Sequence, residues 1–180
     1  MATSQPAILG DLQKYQWYVH MSRTEGADLG VIKQALKEAQ ADAAAQGVNL
    51  CILVGPSLAT DLGIETGGDF QDYPGYESPD GSKVAKGTQE ELLLWVHHAD
   101  KDLIWEVQHT ARRALAGHMS VARETPCFIY KNSLDLTGHI DGTGNPAPED
   151  QQDRGIIADG EAGAGGSYCI AQRWVHDMNY

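Results

Sequence analysis

Apolar and polar residues alternate from Tyr15 to Met21, with Tyr15, Trp17, Val19 and Met21 on one side, which predicts a half-buried strand. From Asp28 to Gln46 the period changes: Leu29, Ile32, Leu36, Ala39 and Ala43 recur at helical spacing. Asp28 suits the N-cap of that helix and Gly47 the residue just past its end. The run "VNLCILVG" (Val48 to Gly55) predicts a buried strand and "ELLLWVHHA" (Glu91 to Ala99) another. Between them, residues 56–90 are rich in Gly, Pro, Asp and Ser and predict a long loop, a feature usually tied to function. A second amphipathic helix starts with Asp100 as cap, places Leu103, Ile104, Val107, Ala111 and Leu115 on one face, and ends at Gly117. "CFIYK" (Cys127 to Lys131) and "GSYCIAQRWVH" (Gly166 to His176) predict two further strands, with Asp177 as a possible cap beyond.

Strand, helix, strand, long loop, strand, helix, strand is the order of a split βαβ unit. The expected fold class is therefore α+β: a ferredoxin-like antiparallel sheet with helices on one face. The strand at Gly166 to His176 has no unit of its own. It reads as the opening of a second unit or, alternatively, as an edge strand added to the same sheet.

Charge narrows the partners. Thirteen Lys and Arg stand against 25 Asp and Glu, for a formal net charge of -12. Nucleic acid and anionic membrane both select basic surfaces, so neither is expected as a partner. The 42% hydrophobic content is enough for a core, and no apolar run approaches the roughly 18 residues of a membrane span. Three dispersed cysteines (Cys51, Cys127, Cys169) form no CxxC pair and fit a reducing compartment. With no export-type pattern in "MATSQPAILGDLQ", a cytoplasmic location is expected.

The candidate chemistry centres on "LTGHIDGTGNPAPED", residues 136–150. Counted from Asp141, an EF-hand would need glycine at the sixth position and glutamate at the twelfth, where Pro146 and Gln152 stand. No HExxH occurs, and the neighbours His97 and His98 on one strand must face opposite ways, so no metal ligands are assigned. There is no GxSxG elbow and no GxGxxG opening a helix, while "GEAGAGGS" precedes a strand. Asp141 remains, set between Gly138 and Gly142. Spacing alone leaves two readings: a carboxylate that caps its own turn, or one placed to move a proton beside a flat ligand.

"DLTGHIDGTGNP" resembles the GxxDG signature of the dye-decolourising (DyP-type) haem peroxidases, whose usual form is close to DLTGFxDGTxNP. "QPAILGDL", "KGTQEELLLWVHHADKDLIWEV" and "AGGSYCIAQRWVHDM" resemble three other segments of that family, in the same order. The resemblance implies two ferredoxin-like halves packed as in a dimeric α+β barrel, with haem b held mostly by the second. It divides this chain into an N-terminal half (1–135), a haem-side loop and linker (136–165), and the first strand of a truncated C-terminal half (166–180). It makes Asp141 the distal acid–base residue, and places Asp141, Gly142, Thr143, Gly144 and Asn145 on the loop beside the porphyrin. His139 and Gly144 depart from the usual Phe and Glu. The family's axial histidine and distal arginine lie beyond the matched segments, so neither His176 nor Arg173 takes those roles.

The implied activity is reduction of hydrogen peroxide with oxidation of dyes, phenolics or similar donors. A homo-oligomer and, for the full-length protein, association with an encapsulin shell are implied as well. The alternative is a non-catalytic α+β binding or assembly module that keeps the half-fold without haem. Trp95, Trp105 and Trp174 could carry electrons to a surface, but packing roles are expected for them.

Overall fold

The computed structural model describes residues 3–140, 142, 144–173 and 178–179. Asp141, Thr143 and the segment 174–177 lie outside them, and with these the readings placed on Trp174, His176 and Asp177. Strand β1 (Tyr15–Arg23) leads to helix α1 (Leu29–Ala45), strand β2 (Asn49–Val54) and a short helix α2 (Pro56–Asp61). A two-stranded hairpin, β3 (Tyr76–Glu77) and β4 (Val84–Ala85), interrupts the long loop. Strand β5 (Leu92–His98), helix α3 (Lys101–Ala114) and strand β6 (Met119–Phe128) follow, and a short helix α4 (Gln151–Gly155) lies near the end.

The four long strands form one sheet in the order β2-β5-β1-β6, with every neighbouring pair antiparallel. This is the predicted split βαβ arrangement. Each helix crosses from a central strand to an edge strand, and both helices pack on the same face.

The helices start and stop where local chemistry directs. The Asp28 carboxylate accepts hydrogen bonds from Gly30 N (2.7 Å) and Val31 N (3.1 Å), satisfying amides that have no carbonyl partner in the first turn. Asp100 does the same for Asp102 N at 2.9 Å. Gly47 and Gly117 end the helices at φ of 69° and 85°, a region that a side chain disfavours. Ile32, Leu36, Ile104, Val107 and Leu115 from the helices meet Val19, Met21, Leu50, Leu92, Leu94 and Val96 from the sheet in one core. Full burial of each larger aliphatic side chain contributes about 1.5–3 kcal/mol.

Three stretches differ from expectation. The fourth strand spans Met119–Phe128, where the sequence pattern points to Cys127–Lys131. It is an edge strand on which only Met119 is buried, so it carries almost no hydrophobic alternation. Beyond it, Lys131 (φ 47°) and Ser133 (φ 61°) turn the chain away. Helix α2 sits inside the predicted loop; at six residues it is too short to show a period, yet it buries Leu58 and Ala59 completely. Arg23 fixes it from β1, bonding Asp61 (2.5 Å), Ser57 (2.9 Å) and Glu91 (2.6 Å). Finally, 166–173 forms no ladder among the described residues and is not a strand. Extended backbone becomes a strand only where a neighbour takes its hydrogen bonds.

Candidate active-site loop

Beyond β6 the chain makes isolated bridges Tyr130–Leu134 and Leu134–Ile140, which close a tight turn over residues 135–139. Asp135 organises that turn. Its Oδ1 accepts from Thr137 N (2.9 Å), Thr137 Oγ1 (2.6 Å) and His139 N (3.0 Å). Its own backbone N–H donates to His139 O at 2.9 Å, and Gly138 N donates to Asp135 O at 3.1 Å. These bonds, the Thr137 hydroxyl first, hold the Asp135 carboxyl below the usual carboxylate range. Gly138 takes φ 93°, which the turn requires.

A second turn follows at once. Asn145 N donates to Gly142 O at 3.0 Å, and Gly142 has φ 81°. A Cβ at Gly142 would stand 3.0 Å from the exposed Asn145 Nδ2, which can shift, so it is the positive φ that favours glycine there. Asp141 is thus bracketed by two defined turns while lying outside the described residues itself, as does Thr143. Gly142, Gly144 and Asn145 are exposed, and beside them Leu136 and Ile140 are 49% and 66% exposed. Sequence reasoning considered a turn-capping aspartate but placed it at Asp141. Asp141 lies outside the described residues, and the capping aspartate among those described is Asp135, whose signal was an aspartate two residues before a threonine.

The sheet face opposite the helices is the other chemically distinctive surface. Trp95 stacks on Tyr18 (centroids 5.7 Å apart) and on His97 (4.9 Å), and both Trp95 Nε1 and Tyr18 OH donate to Gln16 Oε1 at 3.0 Å. Burial pushes the Tyr18 hydroxyl well above its ordinary value; it also pushes the Cys51 thiol up, to about 12. At the edge of this face Glu90 pairs with Arg123 (2.8 Å) and His20 (3.3 Å). Burial pulls His20 down and the Arg123 charge adds to this, against the opposing pull of Glu90. His97 and His98 do face opposite sides of the sheet, as their adjacency on β5 requires. Trp105 is 50% exposed on α3, stacked on His109.

A family model described as "Dyp-type peroxidase, C-terminal" matches residues 132–180, the stretch that contains both turns. A dye-decolorizing peroxidase of Rhodococcus erythropolis is 32% identical over 108 residues, which cover 59% of this chain and 32% of that protein. This chain is similar to the dye-decolorizing peroxidases.

The dye-decolorizing peroxidase of Brevibacterium linens is 29% identical over 107 residues, 59% of this chain and 29% of its own. Solved dye-decolorizing peroxidases share the fold. That of Bacteroides thetaiotaomicron superposes with a TM-score of 0.79 at 18% identity, over 91% of this chain and 56% of its own. A variant of DypB from Rhodococcus jostii RHA1, in complex with heme, gives 0.77 at 22% identity over 85% and 52%. The chain spans about a third of the length of the curated relatives it matches and about half of these solved chains.

Proposed function

We propose that this chain supplies the distal side of a haem peroxidase site, with Asp141 as the acid–base residue. The observation that carries the reading is the DLTGHIDGTGNP loop, which lies inside the stretch matched by the peroxidase family model. The described residues fit one flank of a flat, largely apolar ring. Gly138 and Gly142 leave the loop backbone uncrowded on either side of position 141, and Leu136 and Ile140 offer exposed apolar contacts. Gly142, Thr143, Gly144 and Asn145 are the residues assigned to that flank. The ring is read as haem b, with its axial ligand supplied from outside the matched segments.

When bound, haem supplies the iron that receives peroxide and the electrons that split its O–O bond. Asp141 takes a proton from one peroxide oxygen and returns it to the other, which leaves as water. The Asp135 turn and the Gly142 turn give the loop defined backbone at 135–139 and 142–145, either side of position 141. Hydrogen peroxide and a small reductant such as a dye or phenolic compound are the partners on this reading. A homo-oligomer, cytoplasmic residence and an encapsulin shell as host follow from the same family likeness. So does the division into an N-terminal half (1–135), a haem-side loop and linker (136–165) and the opening of a second half (166–180).

Asp141→Asn in the haem-loaded full-length protein tests the assignment. The reading expects peroxide turnover to fall by roughly 10²–10⁴-fold, the usual range for a general acid–base group, with the haem Soret band unchanged. Unchanged turnover across pH removes Asp141 from the mechanism. A folded full-length protein that takes up no haem favours a non-catalytic module instead.

A further inference from the structure

Strand β2 is an edge of the sheet, and the segment before β1 covers it. The Gln5 carboxamide stands in for a neighbouring strand: its Nε2 donates to Ile52 O and its Oε1 accepts from Ile52 N, both at 2.8 Å. A 3-10 turn at Pro6–Ile8 buries Ala7, and Gly10 runs close to the Asn49 side chain. The segment then reaches His97, whose Nδ1 accepts from Gln13 N at 3.4 Å and lies 3.4 Å from Asn49 Nδ2.

His97 is an unusual residue to find there. It is fully buried, and its Nε2 is without a hydrogen-bond partner. An unmet buried donor costs about 1–3 kcal/mol, so packing alone does not account for a histidine at this position. We propose that residues 5–13 form an acid-released strap over the open edge of β2, with His97 as its latch. With Nδ1 accepting from Gln13 N, the ring is neutral and its proton sits on Nε2. Protonation places a donor on Nδ1 facing two donors. The Asn49 amide can turn to present its oxygen, but the Gln13 N–H is fixed in the backbone and loses its acceptor.

The surroundings set the direction. Gln16 from β1, Asn49 from β2, Gln13 from the strap and Trp95 from β5 all face His97 and carry no charge. Cys51, on the same face of β2, stays a neutral thiol. Burial first, and then the charge of His98, lowers His97 from its ordinary value to about 4. The latch is therefore closed at neutral pH and opens as pH falls toward that value. Opening frees the Ile52 N–H and C=O on a sheet edge able to pair with another strand.

Hydrogen exchange of the 180-residue chain, read at Gln13 and Ile52 between pH 7 and 3.5 and corrected for intrinsic rates, tests this. Both amides should lose protection together in acid while Leu94 and Ala111 in the core keep theirs. In His97→Asn, whose side-chain oxygen can accept at the Nδ1 position at any pH, the acid-dependent loss should vanish. Should that variant not fold, the wild-type NMR titration still decides: the His97 ring and the Gln13 amide must share one midpoint. Different midpoints, or equal acid loss in a folded His97→Asn, overturn the proposal.

Discussion

At the residue scale, Asp135 organises the turn that leads into the GxxDG loop. One carboxylate oxygen gathers two amides and a hydroxyl, and so defines the approach to the GxxDG loop. Asp135→Ala is expected to speed hydrogen exchange at Thr137 and His139 by ten-fold or more, without shifting the global denaturation midpoint. The wild-type turn should respond to acid in the same way. Its carboxyl is depressed, so its contribution is present above the ordinary aspartate value near 4 and is lost as pH falls through the lowered one. NMR of the Thr137 amide would follow that loss. The motif was legible as letters, because glycines and an aspartate at fixed offsets are visible in any sequence. The capping role of Asp135 was not, since it depends on which carboxylate the Thr137 and His139 amides point toward.

At the element scale, legibility followed burial. Helices α1 and α3 carry capping aspartates and a full apolar face, and β5 is a dense run of Leu, Trp and Val, so each announces itself. β6 does not, because an edge strand with one buried residue has no pattern to read. Helix α2 depends on a contact that no local window contains: Arg23 reaches across from β1 to Asp61, Ser57 and Glu91. Arg23 also holds the Glu91 carboxyl below its ordinary range through hydrogen bonds, while its other two contacts, Asp61 and Ser57, both lie in α2. Arg23→Ala should therefore release α2 selectively. Limited proteolysis is expected to cut near residues 56–64 in the variant at least several-fold faster than in the parent. Equal cleavage rates would mean that Leu58 and Ala59 hold the helix without it.

At the scale of the whole molecule, the sheet has two unlike faces. One is sealed by α1 and α3, and the other carries the Tyr18–Trp95–His97 stack and the Glu90 ion pairs. His97 ties this second face to acid stability. Its folded value of about 4 lies below the ordinary 6.5, so between those values the unfolded chain binds the proton more readily. Stability conferred by the neutral ring is full above pH 6.5 and declines as pH falls toward 4, by at most about 3 kcal/mol. Urea denaturation across that window should show the decline in the parent chain and a flatter profile in His97→Asn.

The order β2-β5-β1-β6 also constrains how the molecule comes into being. The central ladder joins Tyr15 to His98 and Met21 to Leu92, so β1 finds no partner until β5 exists. β2 waits for the same strand. During synthesis the first half of the chain can coil its helix but cannot assemble a sheet. Once Leu92–His98 emerges, it must capture both earlier strands across long intervening segments, and closing such loops slows folding relative to a helical bundle of this size. Everything on the sheet's second face, His97 and its strap included, takes shape only after that event.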